Sequence, residues 1–239
     1  MQASVFPRRA RVLSGSGLKA IAIVTMLVDH SAICCKSLLG KYLFTLFSIR
    51  FTPYILLRGV GRIAFPIFCF LLAEGFRHTS SRARYLLSLV VFGLISEPFY
   101  RLFNTGTLQY EHMNVFFTLA LGFLGIWAMS EFPKRPFLMT LAILGLGICS
   151  MLLKADYGWK GYLLILMTYA LAEQPVLQMF AGVTLLGWPG GVVFAYPLMN
   201  LYNGQRGFVR GPVAKYFFYV FYPAHLCVLW LIHKHFFGY

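Results

Sequence analysis

The chain has 239 residues, 59% of them hydrophobic, 18% aromatic and only 12% charged, and its formal net charge is +14. A soluble domain carries about a quarter charged residues, so a soluble fold is set aside in favour of an integral membrane protein. The basic excess lies mostly between long apolar runs, where membrane topology explains it better than nucleic-acid binding does.

The apolar runs lack the alternation of barrel strands, so the expected fold is all-α: a polytopic membrane helix bundle of about seven to nine segments. Residues 1–16 read as a basic, cytoplasmic N-terminal segment containing Arg8, Arg9 and Arg11, and 17–239 as a single transmembrane domain. Val5 to Leu13 is basic and broken by Pro7, without a signal-peptide cleavage pattern, so the first apolar helix is expected to remain in the membrane.

That helix is expected over 17–36. Residues 38–57 carry Arg50 and Pro53 and read as an interfacial or re-entrant element. The next span is expected at 60–77, ending in the basic loop Arg77-His-Thr-Ser-Ser-Arg82-Ala-Arg84, which the positive-inside rule assigns to the cytoplasm. Further spans follow over 85–103, 113–130, 137–153 and 161–173. The loop 104–112 lacks Lys and Arg and suits the outer face, as does the aromatic turn at 154–161. Residues 176–199 contain Gly187, Pro189, Gly190, Gly191 and Pro197, which predicts a broken helix or two short ones. A polar loop with Arg206 and Arg210 precedes the last span at 215–236.

Only seven acidic residues are present, so their positions carry information. Asp29 and His30 adjoin inside the first apolar helix, where ionisable groups are costly and mark functional sites. Lys19 precedes His30 by eleven residues, about three turns and about 16 Å along one face. A carboxylate near an imidazole fixes its tautomer and raises its basicity, as base or nucleophile chemistry requires. Adjacent helical residues diverge by about 100°, however, so Asp29 can equally meet another helix.

Other candidates are Arg62 and, twelve residues on in the same expected span and past the kink expected at Pro66, Glu74 with Arg77 and His78; Glu97 with Arg101 at i, i+4; and Asn114 with Thr118 on one face. His225 sits inside the last span near Tyr222, beyond the ladder-opening Pro223. The five cysteines read as small apolar core residues without zinc-site spacing, so no metal site is expected. The same ionisable groups, with a broken helix at 187–191, also suit a small-molecule or proton-coupled transporter.

Seven ordered stretches together resemble the TraX family: Leu18–His30 (LKAIAIVTMLVDH), Gly61–Thr79 (GRIAFPIFCFLLAEGFRHT), Leu94–Pro98 (LISEP), Asn114–Thr118 (NVFFT), Ala155–Gly161 (ADYGWKG), Tyr202–Gly204 (YNG) and Lys215–Leu226 (KYFFYVFYPAHL). The resemblance implies a multi-pass protein of the bacterial inner membrane that acetylates an envelope acceptor such as the N-terminus of a conjugative pilin, using acetyl-CoA as acyl donor. It is also similar to a wider group of transmembrane acyltransferases. One branch of that group carries a basic residue eleven positions before a histidine, matched here by Lys19 and His30 with lysine in place of the usual arginine.

On that resemblance, His30 is the expected general base or acyl-carrying nucleophile, oriented by Asp29. Asn114 and Thr118 are candidates for holding the acyl carbonyl or oxyanion. Glu74, Glu97, His225 and Tyr222 are candidates for the acceptor end or proton release. Lys19, Arg62, Arg77, His78, Arg82 and Arg84 are candidates for binding the CoA phosphates.

Overall fold

The computed structural model describes residues 4–46, 49–187, 191–209 and 211–238. Pro189, Gly190 and Arg210, singled out above, lie outside the described residues.

Eleven α-helices, two 3-10 turns (Arg8–Ala10 and Gly191–Phe194) and one hairpin are described: α1 (Gly15–Cys34), α2 (Lys36–Leu39), β1 (Phe44–Leu46), β2 (Ile49–Phe51), α3 (Pro53–Gly61), α4 (Ala64–His78), α5 (Arg82–Thr105), α6 (Val115–Glu131), α7 (Pro136–Leu152), α8 (Gly158–Ala170), α9 (Pro175–Leu186), α10 (Ala195–Asn200) and α11 (Gly211–Phe236). The all-α class therefore holds, with a small antiparallel hairpin added. Among the described residues, four stretches are long and apolar enough to cross a membrane: α1, the joined α3–α4 unit, α5, and Tyr216–Phe236 within α11. The apolar helices α6, α7 and α9 are shorter. This compares with an expectation of seven to nine segments.

Local chemistry explains most boundaries. The side chains of Ser14, Thr52, Ser81 and Asn114 each accept a backbone N–H and open α1, α3, α5 and α6. Proline stands at the first turn of α3, α7 and α9, where its missing N–H removes no helical bond. Gly106 ends α5 in the left-handed region at φ 71°.

The span expected at 60–77 begins earlier than its composition suggests. Pro53 opens a helix instead of interrupting an interfacial element, and the described residues before it in 38–57 include the end of α2 and the paired strands β1 and β2. The break between α3 and α4 has a clear cause. Pro66 cannot donate to the carbonyl of Arg62 four residues back, so the chain makes a tight turn at Arg62–Ile63, with Ile63 N–H bonding Val60 O at 3.2 Å.

The α4 helix is the hub. Its Phe65, Cys69, Leu72 and Phe76 join a core with α6, α8 and α11, while Ile67 and Phe70 join a second core with Leu18 of α1 and Tyr196 of α10. By contrast α7 presents Phe137, Leu144 and Leu152 outward, with Phe137 78% exposed. Burying apolar surface is worth about 25 cal/mol per Å² in water, so such a face is stable only against lipid or another protein.

The described residues of 176–199 hold two short α-helices, α9 and α10, with a 3-10 turn at Gly191–Phe194, as the glycines and prolines suggest. At the start of α9, Gln178 donates to the carbonyl of Thr168 in α8 at 2.8 Å. At the end of α10, Asn200 holds the N-terminal segment through Ser4 (2.6 Å) and Val5 (3.1 Å). The pair therefore enters and leaves at one end of the bundle. Its inner part approaches α3 closely: a Cβ on Gly191 would lie 2.0 Å from the carbonyl oxygen of Gly59. The N-terminal segment is tied down too, with Leu13 and Tyr202 forming a parallel bridge.

Candidate functional site

Helices α1 and α11 run parallel, with Lys19 over the ring of Phe218, His30 against His225, and the carbonyl of Cys34 against His233. Nδ1 of His30 lies 2.7 Å from Nε2 of His225, with the ring planes inclined by only 9°. Nδ1 of His225 lies 2.8 Å from the carbonyl of Phe221. A carbonyl only accepts, so that nitrogen carries the proton, and Nε2 of a neutral His225 is an acceptor. His30 must then donate from Nδ1, which leaves its Nε2 with a lone pair. The tautomers are assigned from these partners. His225 is 6% exposed, and Phe103 and Tyr222 border His30 at ring distances of 5.4 and 6.4 Å.

Asp29 does not orient His30. The helix turn between them carries its carboxylate to α3, where Oδ2 accepts from Arg58. Its Oδ1 is buried without a hydrogen-bond partner among the described residues. The approach requires glycine at 61, because a Cβ there would lie 2.1 Å from Oδ1. Arg58 was missed by sequence reasoning. Its signal was available: Arg58 and Arg62 stand at i, i+4 on one face, in a stretch otherwise apolar from Tyr54 to Phe70.

Arg62 and Arg58 both act on Asp156, in the turn between α7 and α8. That turn is pinned to the one before α6. Asp156 N–H donates to Met113 O at 2.8 Å, Met113 N–H donates to Lys154 O at 3.1 Å, and Thr118 donates to the Asp156 carbonyl. Tyr157 takes φ 64°, a left-handed conformation uncommon for a bulky side chain, and its ring stacks on Phe65 at 3.8 Å. Burial pushes the Asp156 carboxyl up to about 6, against the opposing pull of the Tyr157 N–H, Arg62 and Arg58. Beside it opens a cleft of about 540 Å³ lined by Tyr100, Tyr110, Tyr157 and Trp159.

The chain matches the TraX protein family over residues 14–233. It belongs to the TraX family. It is also 31% identical to the probable fimbrial assembly protein FimC, serogroup H1, of Dichelobacter nodosus, over 89% of this chain and 92% of that protein. No solved structure matches it.

The seven TraX-like stretches do not form one centre. Residues of the first, second, fifth and seventh build the region just described: Asp29 and His30, Arg62, Asp156, and Tyr222 with His225. Arg62 stands apart from the other expected phosphate ligands. It precedes α4 and Arg77 nears its end, about 22 Å away at helical rise.

Arg77, His78, Arg82 and Arg84 gather at that far end. Glu74 accepts from Arg77 at 2.7 Å and lies 3.5 Å from His78. Arg77 also donates to Tyr169 O, and Arg82 bonds Glu131 at 2.9 Å and Ser130 at 3.2 Å. Arg84 is exposed. Lys19 belongs to this half of α1.

Three of the polar candidates have structural bonds. Both amide hydrogens of Asn114 are engaged, with Gly93 O at 2.8 Å and Glu97 Oε2 at 2.7 Å, and its Oδ1 caps α6 through Phe116 N–H. No side-chain donor of Asn114 remains for an oxyanion. Glu97 holds Arg101 with its other oxygen, at 2.9 Å. Thr118 spends its proton on the Asp156 turn.

Proposed function

We propose that this TraX-family protein is a membrane-embedded acyltransferase, which carries acetyl from cytoplasmic acetyl-CoA to an amine acceptor across the bacterial inner membrane. The acceptor is the N-terminus of a pilin subunit, a reading supported by the family and by the relative's name as a probable fimbrial assembly protein. The observation that carries the proposal is the His30–His225 pair, which leaves His30 Nε2 as a hydrogen-bond acceptor inside an apolar bundle. Ionisable groups at such depth are functional by default.

The positive-inside rule assigns the Arg77–Arg84 end, and with it the N-terminus, to the cytoplasm. Read as membrane segments, α1, α3–α4, α5, α6, α7, α8 and α11 then make seven crossings, with α9–α10 re-entrant. Lys19 and the arginines would hold the CoA phosphates, and the pantetheine arm would reach about 16 Å along α1 to His30.

At His30 the acceptor nitrogen would attack the thioester carbonyl, forming the C–N bond and breaking C–S. An ammonium sheds two protons on becoming an amide. One leaves to solvent before attack; the other passes through His30 Nε2 to the departing thiolate, which leaves as CoA thiol. His225 holds His30 in the tautomer this needs, and Asp29 with Arg58 fixes α3 against α1 beside it.

The test is to incubate purified protein with acetyl-CoA and a short peptide bearing a free amine, and to follow peptide acetylation by mass spectrometry. Acetylation that depends on His30 supports the proposal. The re-entrant α9–α10 unit favours transport as the second reading. Solute or proton flux in vesicles, with neither acetyl-CoA binding nor acetylation, would select it.

A further inference from the structure

The cleft beside Asp156 has no part in the donor side of the proposed reaction, yet its chemistry is specific. Four aromatic side chains, Tyr100, Tyr110, Tyr157 and Trp159, line it together with the Asp156 carboxylate. Tyr100 and Tyr110 lie with ring centroids 5.8 Å apart, and Tyr157 is held in place by its stack on Phe65. The backbone of the Asp156 turn is bonded to Met113 and Thr118, so the carboxylate is pre-positioned and does not swing on a free loop. Oδ1 accepts the Tyr157 N–H at 3.0 Å; Oδ2 accepts no hydrogen bond from the described residues.

The lining cation, Lys154, is already engaged by Glu111. Behind the carboxylate, Arg58 is paired with Asp29, and Arg62 faces both acids. On the side toward the histidines, Asp156 acts electrostatically on Tyr100 and Tyr222, and Tyr222 borders both His30 and His225 at ring distances of 6.4 and 5.6 Å.

Aromatic faces attract a cation within about 6 Å of the ring, and do so more strongly where water is excluded. A fixed carboxylate adds a charge-assisted hydrogen bond. We infer that the Asp156 cleft is a binding site for a primary ammonium group, the free amino terminus of an extended peptide, held by Asp156 among the rings of Tyr100, Tyr110 and Trp159. Resting on the acyl-transfer reading, this makes the cleft the acceptor port, with Tyr222 between it and His30. An acetylated product has lost the charge and leaves.

Binding of alanylglycine amide and of its N-acetyl twin to the purified full chain, followed by isothermal titration calorimetry at neutral pH, tests this directly. The free amine should bind at least ten-fold more tightly than the twin. Asp156→Asn should bring the two within two-fold, Asp156→Glu should retain the preference, and Trp159→Leu should weaken the free amine most. Equal binding of the two peptides by the wild-type protein overturns the assignment, as does an undiminished preference in Asp156→Asn. If Asp156→Asn does not fold, Trp159→Leu and Tyr110→Leu decide, and a full preference in both overturns it. A preference for the free amine without any acetyl transfer would sink the proposed function and leave the site standing. Transfer with an unchanged KM for peptide in Asp156→Asn would do the reverse.

Discussion

His30 Nδ1 and His225 Nε2 lie 2.7 Å apart across parallel helices, and the Phe221 carbonyl at the far side of His225 sets the direction of both hydrogen bonds. Two residues separated by 195 positions thus behave as one unit. In that unit His225 is a positioning residue: its own unprotonated nitrogen, Nε2, is taken up by His30 Nδ1, which leaves His30 Nε2 as the unprotonated nitrogen outside the pair's hydrogen bond.

His225→Ala should therefore leave the protein folded and lower acetyl transfer by about 10²-fold, the lower end of general-base effects. His225→Gln, whose amide oxygen can accept from His30 Nδ1, should recover part of the rate. Steady-state rates for the three proteins check this. A His225→Ala rate equal to wild type, with an unchanged pH profile, would remove His225 from the mechanism.

Arg58 and Asp29 form a partly buried pair, with side chains 26% and 15% exposed. Removing one partner of a fully buried pair costs about 3–5 kcal/mol, and partial exposure reduces this to about 2 kcal/mol here. Arg58→Leu should lower the thermal midpoint in detergent clearly, and Arg58→Leu with Asp29→Leu should recover much of the loss. A double mutant no more stable than the sum of the singles would show that the pair is not coupled.

Asn114→Ala should act on stability, not on chemistry. It removes the α6 cap, worth about 1 kcal/mol, and strips Glu97 of its Asn114 amide donor. The thermal midpoint should fall while the turnover number of the folded fraction stays within about two-fold. A collapse of turnover at unchanged stability would restore Asn114 as an oxyanion donor.

Asp156 makes stability pH-dependent in a defined direction. Its folded value of about 6 lies above the ordinary 3.8, so between these values the folded protein binds the extra proton. Its contribution is present below about pH 4, declines as pH rises to about 6, and is constant above. Asp156→Asn should flatten that part of the profile. Thermal midpoints between pH 4 and 8 measure it, and a wild-type midpoint that rises through the same interval by way of Asp156 would reverse the assignment.

Helix ends were legible because their causes are local. Ser81, Asn114 and Pro136 mark starts of α5, α6 and α7 within three residues of the expected 85, 113 and 137. The error at Pro53 is also local: a proline reads as a breaker inside an apolar run and as an ordinary first-turn residue at its start. Partnerships were harder to read. Helical spacing leaves Asp29 free to face His30 or another helix, and only the packing of α1 on α3 through Gly61 decides for Arg58. Asn114 and Thr118 share a face as expected, but backbone groups of neighbouring turns claim their hydrogens. The separation of Arg62 from Arg77 follows from helix length and was open to direct counting.

The central claim is that His30 is the base of an acetyl transfer. Acetylation of a free-amine peptide by purified wild-type protein and His30→Ala, with acetyl-CoA and with both proteins shown to be folded by thermal unfolding, measures it most directly. The account predicts acetylated peptide with the wild type and a loss of at least about 10²-fold in His30→Ala. Peptide acetylated at an equal rate by both proteins would contradict it.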